Sequence, residues 1–182
     1  MPLALGLLEF KSVSAGVQAA DAMLKAARVD LLYAGATCPG KYVSIVSGEV
    51  AAVHSAVAAG RMVSEPFVVG ELVLANVHPD VLPAVSATTL VAVTAALGVL
   101  ETFSIASAIL AADAAAKAAD VQLIEVRIAR GLGGKAFVVF TGEVAAVEAA
   151  MNAAIQPPKA EGLLTHYTVI PAPHPDLAQS LL

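Results

Sequence analysis

The chain repeats itself. At an offset of 92 residues, Gly6-Leu7-Leu8-Glu9 returns as Gly98-Val99-Leu100-Glu101, and Ala19-Ala20-Asp21-Ala22 returns as Ala111-Ala112-Asp113-Ala114. Lys25-Ala26-Ala27 matches Lys117-Ala118-Ala119, and Val29 and Leu31 match Val121 and Leu123. After a two-residue insertion Gly40-Lys41 matches Gly134-Lys135, Gly48-Glu49-Val50-Ala51-Ala52-Val53 matches Gly142-Glu143-Val144-Ala145-Ala146-Val147, and His78-Pro79-Asp80 closes each copy again as His174-Pro175-Asp176. Such ordered self-similarity is the mark of a duplicated structural unit. It divides the 182 residues into a first domain at 1–90 and a second at 91–182.

Within each copy the pattern is strand, helix, two strands, helix, strand. Leu3 to Phe10 is a nearly continuous apolar run, expected to be a strand buried on both faces. Val17, Ala20, Leu24 and Ala27 fall at three- and four-residue spacing, which predicts a helix over 13–27 with Ser12 or Ser14 as its cap. Strands are expected at 29–34, 42–47 and 67–74, with a helix over 50–61 that places Glu49 at its positive end. Helices and strands alternating at these lengths predict an α/β layered domain, helices covering a sheet.

The composition sharpens this. Hydrophobic residues make up 58% of the chain, yet aromatics only 4%, so the interior is built from small side chains. Only 14% is charged, well under the usual ~25%, which suggests a surface largely covered by other subunits. The net charge of −5 gives no basic footprint for nucleic acid. The N-terminus lacks the basic region and cleavage pattern of a signal peptide. Val81 to Leu100 carries no charge, but Pro83, Gly98, Ser86 and three threonines interrupt it. It reads as a linker running into a buried strand rather than a membrane span.

The turn between the second and third strands, Thr37-Cys38-Pro39-Gly40-Lys41, holds the only cysteine. A lone cysteine forms no intrachain disulfide and completes no metal motif by itself. It acts alone, meets copies of itself from other subunits, or is simply a small hydrophobe. The matching turn of the second copy is Ala129-Arg130-Gly131-Leu132-Gly133-Gly134-Lys135. Its glycines lack the spacing and the Ser/Thr of a phosphate-binding loop.

Taken together, Gly-Leu-Leu-Glu, Ala-Ala-Asp-Ala-Met-Leu-Lys-Ala-Ala, Gly-Lys and Ser-Gly-Glu-Val-Ala-Ala-Val resemble the bacterial microcompartment shell domain. The second copy adds Val169-Ile170-Pro171-Ala172-Pro173-His174, similar to that family's closing strand. The resemblance covers essentially the whole chain, twice. It implies a ferredoxin-like α+β domain in its unpermuted strand order, and a tandem-domain shell protein that forms a trimer of pseudo-hexagonal outline. It also implies a place in a microcompartment shell within the cytoplasm, a structural role without turnover chemistry, and partners that are other copies of itself and other shell proteins in a flat layer.

Within that family the Cys-Pro-Gly-Lys turn is similar to that of the iron–sulfur-carrying tandem shell proteins of propanediol-utilisation microcompartments. The resemblance implies that Thr37, Cys38 and Pro39 line a central pore with Arg130, Gly131, Leu132 and Gly133. Cys38 from three subunits would then supply three thiolates to one [4Fe-4S] cluster per trimer, leaving one iron open. Pro39 stiffens the loop, and the N–H groups of Gly40 and Lys41 remain available to cluster sulfur. Such a tile would pass electrons, or exchange a cluster, across the shell, with a redox enzyme in the lumen as a further partner.

Other repeated residues have plainer readings beside the functional ones. Lys25 and Lys117 are helix-end cations by position, and tile-edge residues by resemblance; Asp21 and Asp113 lie four residues before them, at ion-pair spacing. His78 and His174 are expected to open a short last helix with proline at its first position, serving as cap and tile edge rather than as paired metal sites. Ala172 and Asn76-Val77 depart from the family's usual arginine–proline approach to that histidine. Glu9 and Glu101 have no nucleophile beside them and read as structural. Two other readings stand: a tile without a cluster whose pore passes small polar metabolites, and a soluble two-domain ferredoxin-like enzyme or regulator.

Overall fold

The computed structural model describes residues 3–128 and 131–180, which fall into two compact units, Met1–Val77 and His78–Leu182. The first unit runs β1 (Leu3–Phe10), α1 (Val13–Ala26), β2 (Asp30–Thr37), β3 (Lys41–Glu49), α2 (Val50–Ser64), a 3-10 turn at Glu65–Phe67, and β4 (Val68–Leu74). Its sheet has the order β2-β3-β1-β4, every neighbour antiparallel. This is a layered domain, as the alternation of elements predicts, in the ferredoxin-like strand order that the resemblance implies.

The pattern of burial follows from register. Ala4, Leu8 and Phe10 of β1 and Val46 of β3 pack with Ala19 and Met23 of α1 and Val53, Ala56 and Val57 of α2, so both helices cover one face. Leu5 and Leu7, which point to the opposite face of the same strand, are equally buried. The apolar run of β1 is thus used on both sides. Ser12 caps α1, its Oγ accepting the Ala15 N–H at 3.4 Å, and Ser104 caps the matching helix through the Ser107 N–H at 3.3 Å. Glu49 occupies the N-cap of α2 without a side-chain hydrogen bond.

The second unit comprises α3 (Val81–Val85), β5 (Ala96–Thr102), α4 (Ile105–Ala118), β6 (Val121–Arg127), β7 (Ala136–Gly142), α5 (Val144–Ala154), α6 (Gln156–Ala160), β8 (Leu164–Pro171) and α7 (Pro175–Ser180). Its sheet repeats the first, in the order β6-β7-β5-β8. The uncharged run is neither a span nor a featureless linker. After α3 it crosses as an irregular strap whose Val91 and Val93 pack on Leu97, Ile124 and Val139, while the Thr94 N–H donates to Thr141 Oγ1 at 2.9 Å. No described helix is long and apolar enough to cross a membrane.

The sequence reading needs correction at two kinds of place. Strands β2 and β3 extend to Thr37 and from Lys41, so the loop proper is only Cys38-Pro39-Gly40; cross-strand pairing continues as long as backbone partners face each other. His78 does not open a helix. His78-Pro79-Asp80 forms a turn, and α3 begins at Val81, whereas in the second copy Pro175 is the first helical residue.

On the helix-facing side of the sheet a strand glycine makes room for the large side chain paired across from it. A Cβ built on Gly98 would lie 2.5 Å from the Phe140 ring, below any tolerated contact. Gly98→Ala should therefore lower stability by roughly 1–3 kcal/mol, the usual range for overpacking. Urea unfolding should show a lower midpoint at unchanged slope, and Phe140→Leu in the same chain should recover part of the loss.

Candidate functional site

Strands β2 and β3 present the cysteine at the tip of their hairpin. Thr37 is the last residue of β2 and pairs with Lys41, the first of β3. Between them Cys38 is half-buried, Pro39 and Gly40 are exposed, and the Cys38–Pro39 peptide bond is cis. Gly40 has φ +73°, a conformation that other residues adopt only with strain, and a Cβ there would meet nothing within 4 Å. The tip is thus tightly turned, with open space beside Gly40.

The base of the turn is held by charge. Lys41 Nζ donates to Glu9 Oε1 at 3.0 Å, and in the second unit Lys135 Nζ donates to Glu101 Oε2 at 2.9 Å. Glu9 pairs with Val43 across β1–β3, so its carboxylate and the Lys41 side chain lie diagonally on one sheet face. That face is opposite the helices, because Leu8, Phe10 and Val46 face them. These ion pairs join residues that the sequence reading kept apart, glutamates as structural and lysines as part of the turn. The signal was available: both partners recur at matching positions in both copies.

Thr37 contributes differently. It is buried, and its Oγ1 has no hydrogen-bond partner. Ser44 Oγ shares that condition, but belongs to the helix side of the sheet, opposite Leu8 in register. Thr37 shares its face with Lys41, immediately before the cysteine. A buried hydroxyl without a partner carries a desolvation cost of about 1–3 kcal/mol.

The second unit's turn is longer, from Ile128 to Lys135. Gly131 and Gly133 have φ +70° and +63° with open space where a Cβ would point, and Lys135 N–H donates to Leu132 O at 3.2 Å. Gly131 and Gly133 are exposed and Leu132 half-buried. Arg130 lies outside the described residues. At the root of this loop Arg127 Nη2 donates to Glu125 Oε2 at 2.7 Å, and its guanidinium sits 5.4 Å from the centre of the Phe137 ring. The Glu125 hydrogen bond holds the Arg127 pKa above its ordinary value, so this cation is fixed.

Away from the turns, Lys25 Nζ donates to Asp21 Oδ2 and Lys117 Nζ to Asp113 Oδ2, each at 2.6 Å and at i,i+4 spacing in the last turn of α1 and α4. The two histidines make the same local contact: Nδ1 of His78 accepts the Asp80 N–H at 3.4 Å, and Nδ1 of His174 accepts that of Asp176 at 3.2 Å. Asp113 has a role that spacing alone did not show, since its Oδ1 accepts the His78 N–H at 2.8 Å.

Among the described residues no three His, Cys, Asp or Glu side chains gather at a metal-binding distance. One chain therefore fits a metal cluster only as the donor of a single soft thiolate. The donor type suits iron–sulfur ligation, the half-buried tip gives the sulfur a way out, and Gly40 leaves room beside it.

Double-mutant cycles test the duplicated ion pair. Glu9 is the more enclosed carboxylate, with its side chain 15% exposed against 37% for Glu101. The Glu9–Lys41 coupling should come out at about 1 kcal/mol and the Glu101–Lys135 coupling at a few tenths, measured by denaturant unfolding at low salt.

The model of the BMC domain family matches this chain twice, at residues 4–81 and 96–173. The chain is 41% identical to the bacterial microcompartment shell protein PduT of Citrobacter freundii over 182 residues, covering 100% of this chain and 99% of that protein. It is 40% identical over 76 residues to the shell protein EutM of Salmonella typhimurium, covering 42% of this chain and 77% of that one. Among solved structures, a microcompartments protein from Desulfitobacterium hafniense DCB superposes with a TM-score of 0.96 at 49% identity, covering 98% of this chain and 99% of that one.

Proposed function

The chain belongs to the BMC domain family as a tandem-domain structural shell protein of a bacterial microcompartment, and from that premise we propose that it is a trimeric tile carrying a [4Fe-4S] cluster on three Cys38 thiolates. The observation that carries this reading is the unequal divergence of a duplicated turn. Both copies keep the glutamate–lysine anchor, while only the first places a thiol at the tip. Three chains then bring three thiolates and six shell domains, the number that lays out a pseudo-hexagonal tile.

Four features of the turn support the cluster. The thiol is half-buried rather than enclosed, so neighbours can reach it. Pro39 fixes φ beside it and removes one competing donor. Gly40 leaves space where a side chain would crowd an inorganic group. The unpartnered Thr37 hydroxyl is a donor within the adjoining residue, of the kind that tunes cluster potential when it bonds sulfur. A cluster bound this way supplies one-electron chemistry and one iron position without a protein ligand. The residues of this chain hold it, set its polarity through the turn, and keep Lys41 drawn back onto Glu9. Electron transfer or cluster exchange across the shell follows as the role, with a redox enzyme in the lumen as the partner to supply or accept electrons. Propanediol utilisation is the pathway that the resemblance of the Cys38-Pro39-Gly40-Lys41 turn favours.

Anaerobic purification tests the proposal. Wild-type protein should be brown and contain about four iron and four sulfide per three chains. Cys38→Ser should lose the colour, iron and sulfide while keeping the assembly state. Colourless, iron-free wild-type protein prepared in this way leaves a cluster-free tile whose pore passes small polar metabolites, and overturns the proposal.

A further inference from the structure

The two copies join their second long helix to their last strand in different ways. In the first, α2 runs unbroken to Ser64, and Arg61 Nη1 donates across to Glu71 Oε2 of β4 at 3.3 Å. Ile155 is the repeat-mate of Arg61, each lying eight residues past the matched Val53 or Val147. Tyr167 is the repeat-mate of Glu71, for β5 pairs Leu100 with Tyr167 as β1 pairs Leu8 with Glu71. The ion pair that bridges helix and strand in the first copy is thus replaced, in the second, by an aliphatic and an aromatic side chain. The connection there is two residues longer, and Pro157 and Pro158 lack the N–H groups that would continue α5.

The short helix that follows, α6, is fixed by its own contacts. Pro158 is buried, and Ser107 Oγ of α4 donates to Glu161 Oε2 at 2.5 Å. Gly162 closes the helix at φ +70°, its N–H bonded to Lys159 O at 3.1 Å and the Leu163 N–H to Pro158 O at 2.8 Å. Beside this closure lies a cavity of about 310 Å³, lined by Ile155, Lys159, Gly162, Leu164 and Tyr167. A Cβ on Gly162 would meet nothing within 4 Å. No carboxylate is among the lining residues, and among the described residues no acid pairs with the Lys159 ammonium.

We propose that this cavity binds a small aliphatic monocarboxylate, its chain against Ile155, Leu164 and the Tyr167 ring and its carboxylate on the Lys159 ammonium. A lone cation in an otherwise uncharged lining selects an anion over a neutral or cationic ligand of the same shape. A single point charge suits one carboxylate, whereas a phosphate dianion calls for more donors. The volume lies at the lower end of small-molecule sites, ~300–1,000 Å³, which suits a short chain rather than a nucleotide. The first copy fills the equivalent place with its own Arg61–Glu71 pair, so the site belongs to the second unit alone. It needs neither the cluster nor the trimer.

Equilibrium dialysis of the full chain against radiolabelled hexanoate tests this. Wild-type protein should bind about one hexanoate per chain, saturably, with a Kd of about 1 mM or below. Hexylamine and inorganic phosphate should not displace it. Lys159→Met keeps the apolar stem and removes the charge, and should raise the Kd about tenfold. Lys159 is exposed, so this variant keeps its fold. Ile155→Arg with Tyr167→Glu, which rebuilds the ion pair of the first copy across the cavity, should abolish binding while leaving the circular dichroism of a folded chain. A wild type that binds no hexanoate saturably overturns the proposal. So does binding that hexylamine or phosphate displaces, or that Lys159→Met retains at the wild-type Kd.

Discussion

The fold depends on how closely two helices can approach a sheet whose central strand is buried on both faces. In β1 and β5 both faces are largely apolar, with Glu9 and Glu101 the charged exceptions, and the helix side must admit α1 and α2, or α4 and α5, without voids. Alanine and glycine set that distance. Gly6 under Val53 and Val57, and Gly16 under Tyr42, are places where a single methyl would come within 3 Å of a side chain across the helix–sheet layer. The same approach raises the Tyr42 pKa, chiefly by burial and also through its neighbour Tyr33. A chain with so few aromatics gains its stability from many small contacts at native packing density, not from a few large anchors.

Much of this was legible in the residues because the signals were periodic. The two-residue period of β3, the helical spacing of α1 with Ser12 before it, and the duplicated order of elements all translate directly into backbone geometry. What spacing could not show was pairing across the fold. Glu9 and Lys41 are 32 residues apart and meet only because β1 and β3 run antiparallel in one register. His78 misled for a related reason. A histidine followed by proline and aspartate suits a helix start, yet the first copy spends that turn on Asp113 and delays its helix to Val81. The likeness of motif was real, while the tertiary partner decided its conformation.

Duplication also explains how the turn could change without the fold changing. The lysine at its base is bound back onto the sheet in both copies, so the strands are clamped before the tip begins. Residues beyond the clamp, Cys38-Pro39-Gly40 in one copy and the glycine-rich loop in the other, contribute little to the core. One tip is three residues and the other is longer, yet β3 and β7 pair with their central strands in the same way. The tip is therefore separable from the scaffold: Cys38, Pro39 and Gly40 are exposed or half-exposed, and their position rests on the one ion pair beneath them, Glu9–Lys41.

The division of the chain at Val77/His78 has a consequence for synthesis. Domains fold as they emerge, N-terminal first, at about 5–20 residues per second. The unit that leaves the ribosome first is the one whose α1 and β2 present bare valine and leucine, while the later unit carries its own covering strap from residue 78 onward. The valine and leucine side chains of α1 and β2 stay exposed in the complete chain too, so the end of translation does not cover them.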